Sequence, residues 1–287
     1  MSKRLTKVKL TNLDKILYPK LGVTKAQVIE YYIRIAPKML PLLADRPLVL
    51  TRFPDGVDHE GFYEKDAPIG SPSWVETFRR YSKTSQRDID YVVCNNLDTI
   101  IWLANLAALE IHVFLSRTNV FGKPDLALVG IDPEPPATFH DAVSVALLVK
   151  GRLDARRVRS YVKTSGKKGL HMVIPIAQKH SFRQVRECVR KIAIDLAKEN
   201  TLVVAEASKS QNPGTVFIDY PQNSIGRTMA SPYSLRGVPD ATVSTPIEWK
   251  DLNEKLNPEE LNIFNVPKSR AEPWKGMLEN VQKREVK

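Results

Sequence analysis

The sequence predicts an α+β fold. Apolar runs typical of strands and amphipathic stretches typical of helices are mixed along the chain, without the strict alternation of a βαβ protein. Of the 287 residues, 43% are apolar and 26% are charged, which is a globular composition sufficient for one large domain or two lobes. The chain contains no internal repeat or low-complexity tract, so a folded α+β protein is the expectation.

The first half of the chain begins with a predicted helix. Apolar residues recur at helical spacing from Thr24, a candidate cap, to Asp45, and Pro37 is expected to kink this helix or split it in two. Residues 71–90 are polar and charged with little periodicity, which predicts a long surface loop of the kind that is usually functional or mobile. The other expected elements are strands over Pro47–Phe53, Tyr91–Cys94 and Glu110–Leu115, and a helix over Leu97–Leu109.

The second half contains a predicted central strand and a predicted hairpin. Leu126–Ile131 is a continuous apolar run that ends in Asp132-Pro133, the pattern of a buried strand that stops at an acidic residue. Strands over Val158–Lys163 and Leu170–Ile176 flank a turn that contains two glycines. Helices are expected over Phe139–Leu153 and Phe182–Glu199, a strand over Thr215–Tyr220, and a tail from Asn257 that is a packed helix or a loose end.

The charge of the chain indicates a polyanionic partner. Lys and Arg number 43 and Asp and Glu 32, which gives a formal net charge of +11. Nucleic acid is the commonest polyanion in a cell, so its binding is one interpretation, and a basic, well-solvated surface is the other. The densest basic segment, Lys150–Lys168, brackets the turn of the predicted hairpin, which favours a track for a polyanion.

No sequence feature predicts secretion or membrane insertion. Cys94 and Cys188 lack metal-ligand spacing and do not form a disulfide framework, so both are expected to pack in the core. The basic N-terminus has no apolar stretch behind it, and no run approaches the roughly 18 apolar residues of a membrane span. We therefore expect a soluble protein of the cytoplasm with no membrane partner, and the nucleic-acid interpretation of its charge adds association with the nucleoid.

Two acidic residues lie beside apolar strands. Asp132 ends the run Leu126–Ile131, and Asp219 lies within Val216–Tyr220. Because an unpaired carboxylate next to apolar strands is costly, each should have a cation, a metal ion or several hydrogen-bond donors. A salt bridge or a loop-capping hydrogen bond is the structural interpretation. The functional interpretation is that the two carboxylates converge on Mg²⁺ or Mn²⁺ beside a triphosphate.

The hairpin turn has the chemistry of a phosphate site. Thr164–His171 offers a hydroxyl, glycines with free amides, two ammonium groups and an imidazole. Backbone N–H groups of a glycine-rich turn, with Lys and Ser, are a general means of holding phosphate. Many hairpins have a basic, glycine-containing turn for conformational reasons alone, and His171 is also explained as an ordinary buried histidine, so both interpretations stay open.

Three motifs occur in order along the chain, and they carry a family resemblance. These are Ser165–His171 (SGKKGLH), Phe217–Asn223 (FIDYPQN) and Pro232–Gly237 (PYSLRG), with further matching segments at Leu10–Lys15, Arg46–Leu48, Phe62–Lys65 and Leu109–His112. Together they resemble the polymerase domain of bacterial DNA ligase D, which belongs to the archaeo-eukaryotic primase superfamily. The resemblance covers nearly the whole chain.

The resemblance implies a primase-type fold, with two mixed or antiparallel sheets flanked by helices around a central cleft. A single primase-polymerase domain would span residues 1–287, with an N-terminal lobe over residues 1–120 that holds a 5′-phosphate pocket. The catalytic lobe would span residues 121–250 and a C-terminal tail residues 251–287. No ligase or nuclease module is attached in this sequence, so a stand-alone polymerase is implied, working with a separate DNA ligase and a Ku-type end-binding protein.

Metal binding is where the sequence departs from the family pattern. The family holds two metal ions with an Asp-x-Asp pair and a third acid on a later strand. Asp132 matches the second member of the pair and Asp219 the later acid, whereas the first member falls on Gly130. The resemblance thus implies a two-metal Mn²⁺ or Mg²⁺ site that is weakened because glycine supplies no ligand. Three interpretations follow: an altered polymerase that still binds DNA and nucleotide, partial substitution by Glu134, or a substitution engineered to trap a complex.

The resemblance also assigns residues to the nucleotide. The family's phosphate-holding serine and histidine correspond to Ser165 and His171. Further nucleotide-binding positions are matched by His112, Lys163, Gln222 and Arg236. The nucleotide itself would be an NTP or a dNTP, with the family's preference for ribonucleotides.

DNA contacts are implied near the start of the chain. Lys15 and Lys25 match the pocket that holds a downstream 5′-phosphate, and Phe62 and Tyr63 match an aromatic pair that stacks on the template. Core packing is the other interpretation of Tyr63. Residues 71–90, with several arginines and lysines, resemble a mobile element that helps to bridge two broken DNA ends.

The implied function is template-directed nucleotide addition in gap filling and end extension. This would occur during repair of DNA double-strand breaks by non-homologous end joining, at DNA ends with a 5′-phosphate. The alternative is a catalytically impaired module of the same fold that binds and bridges DNA ends, which Gly130 keeps open. A metal-dependent phosphodiesterase also uses clustered acids on a basic surface, but it explains the Ser165–His171 and Pro232–Gly237 motifs poorly.

Overall fold

The computed structural model describes residues 6–281, so the basic start of the chain (residues 1–5) and residues 282–287 lie outside the described part. Four α-helices and fourteen β-strands are present in this part, and the predicted α+β class is confirmed. The chain forms two compact units. Unit 1 runs to Val113 and includes Ala230–Val243 and Glu259–Arg270. Unit 2 comprises Phe114–Met229, Ser244–Pro258 and the chain from Ala271.

The first helix of unit 1 begins as predicted but is not split. Helix α1 spans Lys25–Leu43, and Thr24 caps it in a capping box in which Gln27 N donates to Thr24 Oγ1 and Thr24 N donates to Gln27 Oε1. Pro37 and Pro41 both lie inside the helix. A proline in a helix interior costs about 3 kcal/mol, and burial of the apolar face offsets this cost. That face comprises Val28, Tyr32, Ile35, Met39 and Leu43.

The remaining elements of unit 1 form a small sheet and a helix. Strands β1 (Ile16–Tyr18) and β2 (Val23–Thr24) pair with each other. A four-stranded sheet has the order β13-β7-β3-β4. Its strands are β3 (Leu48–Arg52), β4 (Phe62–Glu64), β7 (Ala108–Phe114) and β13 (Thr228–Ala230), and helix α2 spans Leu97–Asn105. Phe114 of β7 and Thr228 and Met229 of β13 are assigned to unit 2. The strands expected over Pro47–Phe53 and Glu110–Leu115 are thereby confirmed.

The predicted long loop over residues 71–90 is wrong, because most of this segment is a β-hairpin. Strands β5 (Glu76–Ser82) and β6 (Arg87–Val93) pair antiparallel. Arg79 makes two hydrogen bonds to Asp90, of 2.8 and 2.6 Å, across the two strands. The exposed positions of β5 carry polar, charged and aromatic residues (Glu76, Thr77, Arg79 and Tyr81), and the end of β6 is continuously buried. The alternation of apolar and polar residues that predicts a strand is therefore weak in this segment.

Unit 2 is built on a six-stranded sheet of order β11-β12-β8-β10-β9-β14. Its strands are β8 (Leu126–Pro133), β9 (Tyr161–Thr164), β10 (Leu170–Pro175), β11 (Val203–Val204), β12 (Val216–Asp219) and β14 (Pro246–Ile247). Only the β11–β12 pair is parallel among the pairings described, so the sheet is mixed. The predicted central strand and the predicted hairpin are both confirmed.

Two capped helices pack against the sheet of unit 2. Helix α3 spans Phe139–Ala155 and helix α4 spans Phe182–Glu199, and both contact β8. Each begins with a capping box, at Thr138 and at Ser181. Among the described residues, no helix combines the length and apolar character that a bilayer span requires.

The C-terminal tail is neither an α-helix nor a loose end as far as residue 281. It contains short 3₁₀ turns at Pro258–Glu260 and Val266–Lys268. Trp274 is buried, and its indole N–H donates to Val162 O at 3.0 Å. An indole that satisfies its single donor while it buries its ring anchors the tail to β9.

Candidate functional site

Four residues on four neighbouring strands of unit 2 lie in one row. Gly130 on β8 is opposite Asp219 on β12 and opposite His171 on β10, and His171 is opposite Lys163 on β9. Directly opposite residues of antiparallel strands project to the same face of the sheet. Asp219, His171 and Lys163 therefore share a face, and Gly130 leaves the middle of the row without a side chain.

Asp132 joins this face because it lies two residues after Gly130 on the same strand. A Cβ atom added at Gly130 would lie 3.1 Å from Asp219 Cβ and 3.6 Å from Asp132 Oδ2. The structure thus brings the two acidic residues singled out in the sequence together around Gly130, on the face that also bears His171.

The electrostatics of the two acids favour a bound cation. The pKa of Asp132 is raised to about 6, first by loss of hydration among the surrounding protein atoms and then by the charge of Asp219, while Lys168 acts in the opposite direction. The Asp132 side chain is still accessible to solvent, so it loses only part of its hydration. Burial also raises the pKa of Asp219, and hydrogen bonds from Gln222 moderate the shift. Two carboxylates in this situation are stabilised by a positive ion.

The donor set at this face fits a divalent ion that shares its ligands with a substrate. In the described part of the chain, no group of three or more His, Cys, Asp or Glu residues is placed to hold a metal. Glu134, the other candidate ligand, lies with its carboxylate 3.7 Å from Lys168 Nζ and is not part of such a group. Mg²⁺ is commonly bound through one or two carboxylates, waters and substrate phosphates. Asp132 and Asp219 therefore suit Mg²⁺ or Mn²⁺ carried with a triphosphate.

The turn between β9 and β10 is organised by the Ser165 hydroxyl. Ser165 Oγ accepts hydrogen bonds from the backbone N–H groups of Lys167, at 3.2 Å, and Gly169, at 3.1 Å. These two amides are therefore not free to bind phosphate, contrary to the expectation of free turn amides. Because a hydroxyl that accepts two bonds still has a proton to donate, Ser165 itself keeps a donor for a phosphate oxygen.

Gly169 connects this turn to the acidic residues. A Cβ atom at Gly169 would lie 2.1 Å from Ile131 O, so only glycine permits β10 to approach β8 this closely at the turn. The same atom would lie 3.1 Å from Asp132 Oδ1. The phosphate-type turn and the Asp132 carboxylate are therefore immediate neighbours in unit 2.

Lys163 reaches His171 rather than the protein surface. Its side chain is fully buried, and Nζ lies 2.8 Å from His171 Nδ1 and 3.4 Å from Thr164 O, with a further hydrogen bond to Ser244 Oγ. With Lys163 charged, its ammonium group only donates, and His171 Nδ1 is then the acceptor with the ring proton on Nε2. A role of Lys163 at a nucleotide would thus be exerted through His171.

Asn223 is a structural residue of the site to which the sequence assigned no role. It is 1% exposed, its Oδ1 accepts from Leu128 N at 2.8 Å, and its Nδ2 donates to Leu128 O at 2.6 Å. This clamp fixes the Tyr220–Gln222 turn, and with it Asp219, against β8. The signal in the sequence was an amide side chain within an otherwise apolar and aromatic motif, because a buried amide must be hydrogen-bonded.

A second polar cluster lies in unit 1 and centres on Glu110. Glu110 is 4% exposed, and its Oε2 contacts His112 Nε2 at 3.1 Å and Arg236 Nη2 at 3.3 Å, while Oε1 accepts from Gly237 N at 3.0 Å. Burial lowers the pKa of Arg236, and Glu110 opposes this effect. Arg236 Nε has no hydrogen-bond acceptor among the described residues. The structure therefore brings His112 and Arg236 together.

Buried tyrosines hold the Pro232–Gly237 motif in place. Tyr31 Oη donates to Tyr233 O at 2.7 Å, and Tyr18 Oη donates to Arg236 O at 3.0 Å. Tyr32 Oη accepts from the backbone of this motif at 3.2 Å. Loss of hydration on burial raises the pKa of all three hydroxyl groups, which keeps them protonated as donors. The backbone around Arg236 is thus fixed by β1 and α1.

Lys15 and Lys25, the expected 5′-phosphate ligands, are neighbours in unit 1. Lys25 N donates to Lys15 O at 2.8 Å. Lys15 Nζ pairs with Asp55 at 2.7 Å, and Lys25 Nζ donates to Asn105 O at 2.9 Å. Loss of hydration, followed by the charge of Lys15, lowers the pKa of Lys25. Two crowded ammonium groups favour a bound anion for the same reason that crowded carboxylates favour a cation.

Phe62 and Tyr63 are exposed on β4, by 43% and 55%. Core packing of Tyr63, the second interpretation of this residue, is therefore wrong. Both rings line an open cavity of about 530 Å³, together with Ile69 and Arg87. Exposed aromatic faces beside a cation are suited to stacking on nucleic-acid bases.

The comparisons with known proteins show which family of proteins this chain belongs to. The chain has the fold of the polymerase domain of Mycobacterium tuberculosis ligase D, solved in complex with DNA, with a TM-score of 0.89 and 29% identity over 96% of this chain and 100% of that one. A family model for the LigD primase-polymerase domain matches residues 24–275. The chain belongs to the LigD primase-polymerase domain family. The resemblance found in the sequence is confirmed.

The relatives themselves are longer proteins. The multifunctional non-homologous end joining protein LigD of Mycolicibacterium smegmatis is 35% identical over 252 residues, which cover 87% of this chain and 33% of the relative. The bifunctional non-homologous end joining protein LigD of Bacillus subtilis is 31% identical over 262 residues, which cover 91% of this chain and 42% of the relative. The chain thus spans between a third and a half of the length of these curated relatives.

Proposed function

We propose that this chain catalyses template-directed addition of nucleotides to DNA ends and gaps in the repair of double-strand breaks by non-homologous end joining. The observation that carries the proposal is the row Asp219–Gly130–His171, with Asp132 and the Ser165 turn on the same side. Nucleotidyl transfer from a triphosphate requires acidic residues that bind a cation and, next to them, groups that bind phosphate. The fold shared with a polymerase domain solved with DNA supports it.

Asp132 and Asp219 are the residues that would hold Mg²⁺ or Mn²⁺. When bound, the ions supply positive charge that activates a primer 3′-hydroxyl and neutralises the triphosphate. The Ser165 hydroxyl and the His171 Nε2–H are two donors for phosphate oxygens near these acids, and Lys163 orients the second of them. Gly130 supplies no carboxylate, so the chemistry is expected to be slower than with three acids.

The nucleotide and DNA contacts follow from unit 1. Arg236 and His112 provide cationic or polar groups for an NTP or a dNTP, with ribonucleotides preferred, and the Nε donor of Arg236 has no acceptor within the described chain. Lys15 and Lys25 receive a downstream 5′-phosphate, and the exposed rings of β4 stack on template bases. A net charge of +11 supports attraction to DNA.

The partners in this proposal are a Ku-type end-binding protein and a DNA ligase, acting in the cytoplasm at the nucleoid. The names of the relatives, as non-homologous end joining proteins, support this setting. The family and the fold favour a polymerase over the alternative of a module that only binds and bridges ends.

The test is single-nucleotide extension of a labelled primer. The substrate is a gapped duplex with a downstream 5′-phosphate, Mn²⁺ is present, and each NTP is supplied alone. We expect addition of the complementary nucleotide only, and a loss of about a hundredfold or more in Asp132→Asn and Asp219→Asn with DNA binding retained.

The matched control is Asp125→Asn, which removes an acid of unit 2 that pairs with Arg117 at 2.9 Å and is not on the row. This variant should extend primers at the wild-type rate. Equal extension by Asp132→Asn, Asp219→Asn and wild type, or addition without regard to the template, would overturn the proposed function.

A further inference from the structure

Glu110 touches both unit 1 residues that we assign to the nucleotide, yet no role has been given to it. Its carboxylate lies within 3.3 Å of Arg236 Nη2 and 3.1 Å of His112 Nε2, and it also accepts from Gly237 N. All three donors belong to residues that the chain presents from β7 and from the Pro232–Gly237 motif. One buried acid therefore joins two segments that are far apart in the sequence.

A carboxylate at 4% exposure needs several donors, because its ionised form is otherwise expensive to bury. Arg236 is 8% exposed and has the same requirement, with opposite charge. Their contact satisfies both charges in part. An ionised carboxylate only accepts, so Glu110 also requires that His112 direct an Nε2–H towards it. The orientation of the His112 ring is thereby set.

The guanidinium of Arg236 is not fully satisfied by the chain. It has five N–H donors, and the buried Nε has no acceptor among the described residues. An unsatisfied buried donor of this kind marks a place where an ordered water or a bound ligand would supply the acceptor. Oxygen-rich anions such as triphosphates supply such acceptors in the planar geometry that a guanidinium prefers.

We propose that Glu110 is a positioning residue for the incoming nucleoside triphosphate, which it affects by holding Arg236 through Nη2 and His112 through Nε2. The inference rests on the proposed function and assigns to Glu110 no contact with the substrate. Around it, Tyr18 and Tyr32 are the other titratable groups that the structure places near the Glu110–Arg236 pair. Their hydroxyl groups donate to the backbone carbonyl groups of Arg236 and Leu109. The two tyrosines therefore fix the backbone next to the Glu110–Arg236 pair.

The experiment measures nucleotide affinity without turnover. A fluorescent, non-hydrolysable ribonucleoside triphosphate is titrated, with Mn²⁺ and gapped DNA present, into wild type, Glu110→Gln and the control Asp125→Asn. Glu110→Gln keeps the shape and removes the charge. We expect its nucleotide Kd to rise by about tenfold, with affinity for 5′-phosphorylated gapped DNA unchanged. An unchanged nucleotide Kd in folded Glu110→Gln would overturn the inference.

A double-mutant cycle separates positioning from general support of the fold. If Glu110 acts through Arg236, then Glu110→Gln combined with Arg236→Gln should bind nucleotide within about twofold of Arg236→Gln alone. A further tenfold loss in the double variant would point to the contact between Glu110 and His112. The same further loss when His112→Asn is present in both of the proteins compared would overturn the inference. The double variant also removes both buried charges and leaves neither unpaired, so it is expected to fold even if Glu110→Gln alone does not. The inference therefore stays testable.

The two proposals fail in different ways. Wild-type protein that binds the triphosphate analogue but never extends a primer would remove the proposed polymerase activity and leave the role of Glu110 intact. Templated extension by wild type, with no change of nucleotide Kd or KM in Glu110→Gln, would leave the polymerase and remove the role of Glu110.

Discussion

Placing an acid at Gly130 perturbs the centre of the row. In the substitution Gly130→Asp, the new Cβ would lie 3.1 Å from Asp219 Cβ, whereas opposed Cβ atoms of paired strands are usually about 4.5–5.5 Å apart. Strands β8 and β12 must therefore separate slightly at this point. Gly130 is not among the glycines with positive φ, so its backbone conformation accepts a side chain.

The loss of stability in metal-free Gly130→Asp can be worked out from the two carboxylates already present, Asp132 and Asp219. Like charges at about 4 Å repel by about 4 kcal/mol at an effective dielectric constant of about 20. Because Asp132 is open to solvent, we reduce the net destabilisation of the metal-free variant to about 2 kcal/mol. For a chain of 287 residues that is a fall in Tm of about 3 °C. With Mn²⁺ bound, the substitution is expected to stabilise the folded protein instead, because a third anionic ligand then faces the cation.

The assay is primer extension on the gapped duplex with Mn²⁺, after thermal unfolding has shown that Gly130→Asp is folded. We expect the extension rate to rise by at least about tenfold, which is about 1.4 kcal/mol of added transition-state stabilisation. Gly130→Ser, which adds a side chain without a charge, is the matched control and should not gain activity. Equal rates for Gly130 and Gly130→Asp in folded protein with Mn²⁺ would refute the reasoning.

Three further predictions concern the DNA contacts and the stability of the site. Combined Lys15→Ala and Lys25→Met should flatten the slope of log K against log salt by up to about two units and abolish any preference for 5′-phosphorylated gaps; an unchanged preference in DNA-binding titrations rules out this pocket. Asp132→Asn should stabilise the metal-free protein at pH 7 by about 1 kcal/mol after allowance for exposure, because a pKa raised to about 6 means that folding disfavours the ionised form. In thermal melts, the stability of the wild type should accordingly fall as the pH rises from 4 to 6, and this fall should be smaller in Asp132→Asn. Phe62→Ala with Tyr63→Ala should weaken binding of single-stranded template by about 1–3 kcal/mol per lost stack while leaving blunt duplex unaffected, and equal losses on both DNAs would argue against stacking.

Much of the fold could be predicted because its strongest patterns are local. The apolar run of β8 and the 3.6-residue period of α4 indicate their elements without reference to the rest of the chain. The hairpin over residues 76–93 could not be predicted in this way, since its strands pair with each other through exposed, charged positions such as Arg79 and Asp90. The strand signal there lies in cross-strand pairs, which periodicity does not reveal.

The residue types of the candidate site could be predicted from the sequence, but the register that brings them together could not. Asp132 and Asp219 were identified by their apolar surroundings, whereas the alignment of Asp219 with Gly130 depends on which residues of β8 and β12 pair. The burial of Lys163 was missed because a lysine in a basic segment looks exposed until its partner His171 is placed. The contact of Glu110 with Arg236 is not predicted for the same reason, because Arg236 comes from a distant part of the chain.

Mn²⁺ binding in the presence of a non-hydrolysable triphosphate tests most directly whether Asp132 and Asp219 form a cation site beside the phosphate turn. Electron paramagnetic resonance reports free Mn²⁺, and the bound fraction can be measured without any catalytic turnover. Wild type should bind Mn²⁺ with the triphosphate, and Asp132→Asn and Asp219→Asn should each weaken this binding by about tenfold or more. Undiminished Mn²⁺ binding in both variants would contradict the account.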